Sequence, residues 1–563
     1  MFRGRKSLIA LPPLCRCPRL ATTQPATPAP LPLLPLPSLR RRYTAVGSAA
    51  SRGASAEGTK AYFARQRERD AQRKAGASVV APAAAGGWTI SRVGFGGSRA
   101  ASHKQRSHVA LKKALRLGCN VVETGAVYGD GESELLFGQV LSEAFEQQEL
   151  SRDQVVVLGK AGLLTKQTLA RMKKQASENE TRYRGLTEVS PNYGFCMDPI
   201  FLEEQLTGSL QRLGLDAIDV FFLHNPEMFL ERHPDRAEEF YGELSHAFRQ
   251  LEKEASRGRI QYYGISSSSG LTLPSNSPQH ISLERVLDVA QSVASGPRHH
   301  FAAVQYPFNL RESEALFLKN CCNNTLSVAE FAKQKELVRF SHRPLNAYVN
   351  GQVLRLVSFP THEEKDMLQL LKEAFDYTIH LEREYPGSDP AMDPDRKLPP
   401  PESVLWGHIL ASNREQLTSI HAWTELLENQ ILPTAMQAFD QISSEQKHFW
   451  WISKYKIAFN RLIERFTWML EANASARSLS DTQLLERECK ELSSPLSLQQ
   501  KAMSALLSTA SPVTPADCVL VGMRKDEYVR ELLMTLPATV EPVQDQQSLH
   551  RLFEAFKPSS KTT

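Results

Sequence analysis

The chain has 563 residues, 41% of them hydrophobic, and a net charge of +5, which is ordinary globular material for one large domain with additions or for two or three domains. That charge is inflated by the N-terminus, and elsewhere Lys and Arg are interspersed with Asp and Glu, so no nucleic-acid partner is expected. Eight cysteines without a CxxC pair suggest neither a metal-ligand set nor a disulfide framework. No apolar run approaches the roughly 20 residues of a membrane span, so no membrane partner is expected either.

The first acidic residue is Glu57, while Arg3, Arg5, Lys6, Arg16, Arg19, Arg40, Arg41, Arg42 and Arg52 make the leader basic in a background of Ser, Thr, Ala and Pro. This is a transit-peptide composition, and it separates mitochondrion from chloroplast poorly. Import into the mitochondrial matrix is the expectation, with a peptidase site at Arg41-Arg42-Tyr43-Thr44, against the alternative of a disordered basic tail. Residues 1–56 are set aside as this leader. Residues 57–87 follow as a charged helix over Lys60–Arg69 and a small-residue linker from Gly76 to Gly87.

From Trp88 the pattern alternates. Trp88–Gly96 reads as a strand running into a Gly-rich turn, and His103–Gly118 has helical apolar spacing. Further apolar or β-branched runs follow at Asn120–Glu123, Val155–Lys160, Ile218–Leu223, Ile260–Ile265, Ala302–Tyr306, Val338–Phe340 and Cys518–Gly522. With Arg92–Gly96 these make eight strands, mostly separated by helix-length segments, so the fold class expected is α/β, a (β/α)8 TIM barrel. A Rossmann domain is disfavoured because Gly94-Phe95-Gly96-Gly97-Ser98-Arg99 lacks the third glycine of GxGxxG. The barrel is placed at 88–360 for strands one to seven and at 512–563 for the last strand and a C-terminal helix.

Between them, residues 361–511 are expected as a large helical insertion. Met367, Leu368, Leu371, Phe375 and Ile379 recur at helical spacing, as do Leu405, Ile409, Leu417, Ile420, Leu427 and Ile431. Phe449, Trp450, Trp451, Tyr455, Phe459, Phe466 and Trp468 form an aromatic stripe, read either as packing within the insertion or onto the barrel, or as a surface for a protein partner. A long polar loop between Lys160 and Phe201 follows a strand end and is expected to shape a pocket mouth.

The chain's organising stretch is Val121–Glu134, where a buried strand ends in Glu123, then Tyr128, a Gly-rich turn and a helix. A carboxylate and a phenol beyond a strand's carboxyl end occupy the place where such barrels do chemistry. Together with Val93-Gly94-Phe95-Gly96, Leu158-Gly159-Lys160, Gly214–Glu227, Gly258–Ser267, Val304–Asn309, Arg343–Ala347 and Val521–Arg524, this stretch resembles the aldo-keto reductase superfamily from Trp88 to Val349, and again from near Pro515. The resemblance implies a carboxylate, tyrosine, lysine and histidine around a nicotinamide, at Glu123, Tyr128, Lys160 and His224.

The chemistry is consistent with that carry-over. Reducing a carbonyl needs hydride on carbon from a cofactor and a proton on oxygen from the protein. Tyr128 is the expected acid, Lys160 the neighbouring cation, Glu123 the group that holds the lysine, and His224 the orienting donor. The resemblance further implies cofactor contacts at Ser266, Ser267 and Gln305, and a 2′-phosphate contact at Arg524 and Lys525, which favours NADP(H) over NAD. Two departures stand out: Glu123 replaces the family's usual aspartate, and Ser267 stands where the family commonly has Asn. The function expected is an NADP(H)-dependent oxidoreductase acting on a small carbonyl or alcohol. The alternative is a weakly active or inactive barrel retained as a structural or regulatory mitochondrial subunit.

Overall fold

The computed structural model describes residues 52–73, 80–82, 87–178, 183, 185–294, 296, 298–349, 352–359, 366–388, 397–492, 496–507, 516–535 and 546–557. Most of the expected leader, with Tyr43, lies outside them. The chain divides into two compact units: one holds residues 348–484, and the other holds the described residues up to 347 together with 485–557.

In the larger unit eight parallel strands close into a barrel in chain order. They are β1 (Val93–Gly96), β2 (Val121–Glu123), β3 (Val156–Ala161), β4 (Ile218–His224), β5 (Ile260–Ser266), β6 (Phe301–Pro307), β7 (Val338–His342) and β8 (Cys518–Val521), with β8 returning to β1. All eight are the expected strands, with bounds shifted by no more than two residues. They form here because each is a short apolar run covered on both sides: every residue of β2, β3, β4 and β8 is buried. Val121, Val156, Leu158, Val220, Phe340 and Leu520 belong to one buried cluster inside the barrel. Phe222 and Phe340 meet edge to face within it, with centroids 5.9 Å apart.

Register then decides which side chains meet at the carboxyl ends. Gly96 lies beside Glu123, and Glu123 beside Leu158. Lys160 pairs with Phe222, Ser266 lies between His224 and Gln305, and Pro307 pairs with His342.

Four expectations are corrected. Trp88–Gly96 is not one strand: the chain turns at Arg92, and Thr89–Ser91 pairs antiparallel with Val80–Pro82, part of the expected linker. Trp88 and Ile90 thereby join the barrel's buried cluster. The chain is also folded before residue 57. Ala54 is buried, its amide donates to Asp219 Oδ1 at 2.6 Å, its carbonyl accepts from Trp88 Nε1 at 3.3 Å, and the helix that follows runs Ala56–Arg73.

The loop after Lys160 is ordered rather than irregular. It forms the helix Lys166–Glu178 and a three-stranded antiparallel sheet of Leu163–Leu164, Tyr193–Phe195 and Thr187–Ser190. Finally, the insertion ends earlier than residue 511, because the helix Leu498–Leu506 belongs to the barrel unit.

The smaller unit has its own core. Phe375, Trp423, Trp451, Tyr455, Phe459 and Phe466 are buried together, Trp451 stacks on Tyr455 with centroids 4.7 Å apart, and Trp423 Nε1 donates to Thr467 Oγ1 at 2.9 Å. Most of the aromatic stripe is therefore packed within the insertion. Phe449 and Trp450 are exposed and Trp468 is half-buried.

Candidate active site

β2 delivers Glu123, and the turn after it delivers Tyr128. Gly97, at the end of the β1 turn, lets the two strand ends approach: its amide donates to the Glu123 carbonyl at 2.8 Å, and a Cβ on it would lie 2.7 Å from that oxygen. Beyond Tyr128, Asp130 and Gly131 take positive φ and hand the chain to the helix Glu132–Glu146.

One carboxylate oxygen organises the cluster. Glu123 Oε1 pairs with Lys160 Nζ and accepts the Tyr128 hydroxyl proton at 3.1 Å. Lys160 Nζ donates in turn to Tyr128 Oη at 3.1 Å. The ring of His224 meets the Tyr128 ring edge-on, with centroids 5.9 Å apart. Lys160 and Glu123 are 2% and 4% exposed, so the pair is shielded from water, and Coulomb attraction between them is strong. The extra methylene of Glu123 thus keeps the lysine paired and also reaches the tyrosine.

The environment sets the protonation states. Burial pushes the Tyr128 phenol well above its ordinary range, and the adjacent Glu123 carboxylate adds to this; the phenol is protonated at neutral pH. Burial lowers Lys160, while Glu123 opposes the shift. Burial and then the Lys160 charge hold His224 well below the usual imidazole range, so it is neutral at neutral pH and can offer one N–H and one lone pair. Such a cluster can hold a proton on Tyr128, keep a cation beside the phenol and orient an oxygen through His224.

Next to it, Ser266 Oγ donates to Gln305 Oε1, and Gln305 Nε2 is buried without a hydrogen-bond partner among the described residues. A buried amide donor left open at a strand end fits the carboxamide oxygen of a nicotinamide. Ser267 is engaged differently from the expectation: its amide donates to the Gln305 carbonyl at 2.9 Å and its hydroxyl accepts from Leu271 N at 3.2 Å, so it serves the loop. After β8, Arg524 is half-exposed, and Lys525 lies over the Tyr528 ring at 5.6 Å.

The strand ends hold residues that sequence reasoning passed over. His342 ends β7, and burial, then the charges of Arg343 and Lys160, depress its imidazole well below the usual range; its position just before the Arg343–Ala347 block was the available signal. Arg343 Nη2 donates to the Ser268 carbonyl at 3.0 Å and to Glu312 Oε1 at 2.7 Å, and so joins the loops after β5 and β6. Glu227, 1% exposed, accepts from the amides of Ser268 and Ser269 at 2.5 and 3.1 Å.

Comparison with known proteins addresses this same region. Residues 85–282 match the model of the aldo/keto reductase family. This part of the barrel is similar to that family. Over 196 residues the chain is 30% identical to a D-threo-aldose 1-dehydrogenase of Pseudomonas sp, covering 34% of this chain and 54% of that protein. Over 114 residues it is 32% identical to an NADH-specific methylglyoxal reductase of Escherichia coli (strain K12), covering 20% of this chain and 29% of that protein. The chain thus spans about half or less of the length of these relatives. Among solved structures, a glycerol dehydrogenase of Gluconobacter oxydans aligns at TM-score 0.40 and 16% identity, over 84% of this chain and 95% of that one.

Within the barrel, the expected Glu123, Tyr128, Lys160 and His224 come together at three adjacent strand ends, with Ser266 and Gln305 on the next two. Arg524 and Lys525 follow β8.

Proposed function

We propose that the protein is an NADP(H)-dependent oxidoreductase that reduces a small carbonyl compound, or oxidises the corresponding alcohol, with Tyr128 as the proton donor. The observation that carries this reading is the single hydroxyl, Tyr128 Oη, lying 3.1 Å from both Lys160 Nζ and Glu123 Oε1 beside a neutral His224. The dehydrogenase and reductase named among its relatives agree with the reaction class. When bound, the nicotinamide supplies or accepts the hydride. Gln305 Nε2 and Ser266 would hold its carboxamide, and Arg524 and Lys525 would take the 2′-phosphate, which is the reason for preferring NADP(H) although one relative is NADH-specific.

The remaining steps belong to the protein's own groups. His224 orients the substrate oxygen by a hydrogen bond. Tyr128 passes its proton to that oxygen as negative charge develops there, and the Lys160 ammonium stabilises the tyrosinate that remains. The ordered sheet over Leu163–Phe195 follows the lysine-bearing strand, and its place after that strand end supports a role in shaping the pocket mouth.

NADPH titration followed by tryptophan fluorescence and by melting temperature tests the reading. Binding is expected in the wild type and in Tyr128→Phe, with turnover of any accepted carbonyl lowered at least about a hundredfold in the variant. Absence of NADPH binding contradicts it. A second reading is favoured by one observation: the only proton of Tyr128 is directed to Glu123, as in a barrel kept as a structural or regulatory subunit. In that case Tyr128→Phe changes no function of the protein. The basic leader supports import into the mitochondrial matrix with removal near Tyr43, which N-terminal sequencing of the native protein tests.

A further inference from the structure

The long helix Phe449–Glu488 is amphipathic in an unusual sense. Its inner side carries Trp451, Tyr455, Phe459, Leu462 and Phe466, all buried in the core of the smaller unit. At 100° per residue the opposite side is centred near Ile457, and it sets large apolar residues among the polar Ser453, Asn460 and Glu464 that such a face normally carries. Phe449, Trp450 and Ile457 are 61%, 52% and 68% exposed there. Lys454, Arg461 and Glu464 are exposed beside them, and Arg465 and Trp468 are half-buried. Two cations lie over outward indoles, Lys454 over Trp450 at 5.6 Å and Arg465 over Trp468 at 4.2 Å.

We infer that this outer face docks on an anionic phospholipid surface without crossing it, a departure from the sequence expectation of no membrane partner. Charge and shape select the occupant. Three cations stand against one carboxylate along the stripe, so the complementary surface is negative. From Phe449 to Trp468 the stripe is roughly 29 Å of convex helix, whereas a protein that receives a helix offers a groove. A lipid interface adapts to a convex stripe: the indoles and the isoleucine enter the headgroup boundary, and the lysine and arginine stems carry their charges up to the phosphates. No helix among the described residues is long and apolar enough to cross a membrane, and none is needed. The inference does not depend on the proposed reaction, since it uses no residue of the active site.

Co-sedimentation of the full chain with phosphatidylcholine vesicles, and with the same vesicles containing phosphatidylserine, tests it. The expected result is partition onto the anionic vesicles only, weakened by raising the salt concentration, with a blue shift of tryptophan emission. Trp450→Glu with Ile457→Glu, and separately Lys454→Glu with Arg461→Glu, should each lower partition at least about tenfold while melting temperature and NADPH binding stay as in the wild type. The blue shift is read on the wild type alone, so it decides the matter even if a variant folds poorly. No partition of the wild type, equal partition onto neutral vesicles, or unchanged partition in both folded variants overturns the inference. So does a dimer in sedimentation velocity that Ile457→Glu disperses, because the face would then cover a second copy of the chain.

Discussion

At the scale of single residues, the departure from aspartate at Glu123 has a definite geometric result. The tyrosine hydroxyl has one hydrogen and two lone pairs. Glu123 Oε1 takes the hydrogen and Lys160 Nζ occupies one lone pair, so a carbonyl oxygen must displace the carboxylate before it can receive the proton. A hydrogen bond to a charged acceptor is worth about 1.5–3 kcal/mol. Shortening the side chain should break that contact and keep the lysine. Glu123→Asp is therefore expected to speed oxidation of bound NADPH in a single turnover by about tenfold, equivalent to roughly 1.4 kcal/mol. A rate equal to or below that of the wild type would show that Glu123 does not compete for the proton.

At the scale of elements, the loops after β4 and β5 are held together by Glu227, a buried carboxyl among backbone amides. Burial pushes it from 4.5 up to about 7. The sign follows from linkage: the folded chain binds this proton more tightly than the unfolded one, so the stability is fully present below pH 4.5 and is lost as pH rises through about 7. The shift corresponds to about 3 kcal/mol at most. Glu227→Gln keeps an acceptor for Ser268 and Ser269 and cannot titrate. Melting curves should show the wild type losing stability relative to this variant across that window, and curves that stay parallel would count against the assignment.

The same scale shows what the sequence made legible. The barrel strands could be read because each is a short apolar, β-branched or aromatic run, and the family resemblance, whose blocks fall mostly at strand ends, then pointed to Glu123, Lys160, His224 and Gln305. The sheet after β3 could not, because Leu163–Leu164, Tyr193–Phe195 and Thr187–Ser190 are too short to show a period. The hairpin of Val80–Pro82 lay in alanine-rich sequence that reads as a linker, and its pairing with Thr89–Ser91 is a tertiary fact. His342 was missed because a histidine following Phe340-Ser341 carries no motif of its own. The end of the insertion was misplaced because Leu498–Leu506 has the same helical spacing as the segments before it.

At the scale of the whole molecule, the carboxyl ends of the strands, with the proposed site, lie at one end of the barrel, and the first described residues pack against the opposite end. Gly53 lies close against Gln261 and Asp219: a Cβ there would be 2.1 Å from Gln261 Nε2. Asp219, within β4, receives the Ala54 amide, the Val157 amide at 2.6 Å and the Arg152 guanidinium at 2.8 Å. Its place in the network thus depends on a residue that lies within the sequence read as a disposable leader. If a leader is removed as proposed, the barrel limits where the cut can fall: a cut at Tyr43 would keep Ala54, whereas trimming past Ala54 would take away a donor to a fully buried carboxylate, a loss of about 1–3 kcal/mol. A chain beginning at Thr44 should melt with the full-length protein, and one beginning at Ser55 several degrees below it. The end of such a leader would then be set by the folded barrel as much as by a peptidase, and an overtrimmed molecule would be marked by its own instability.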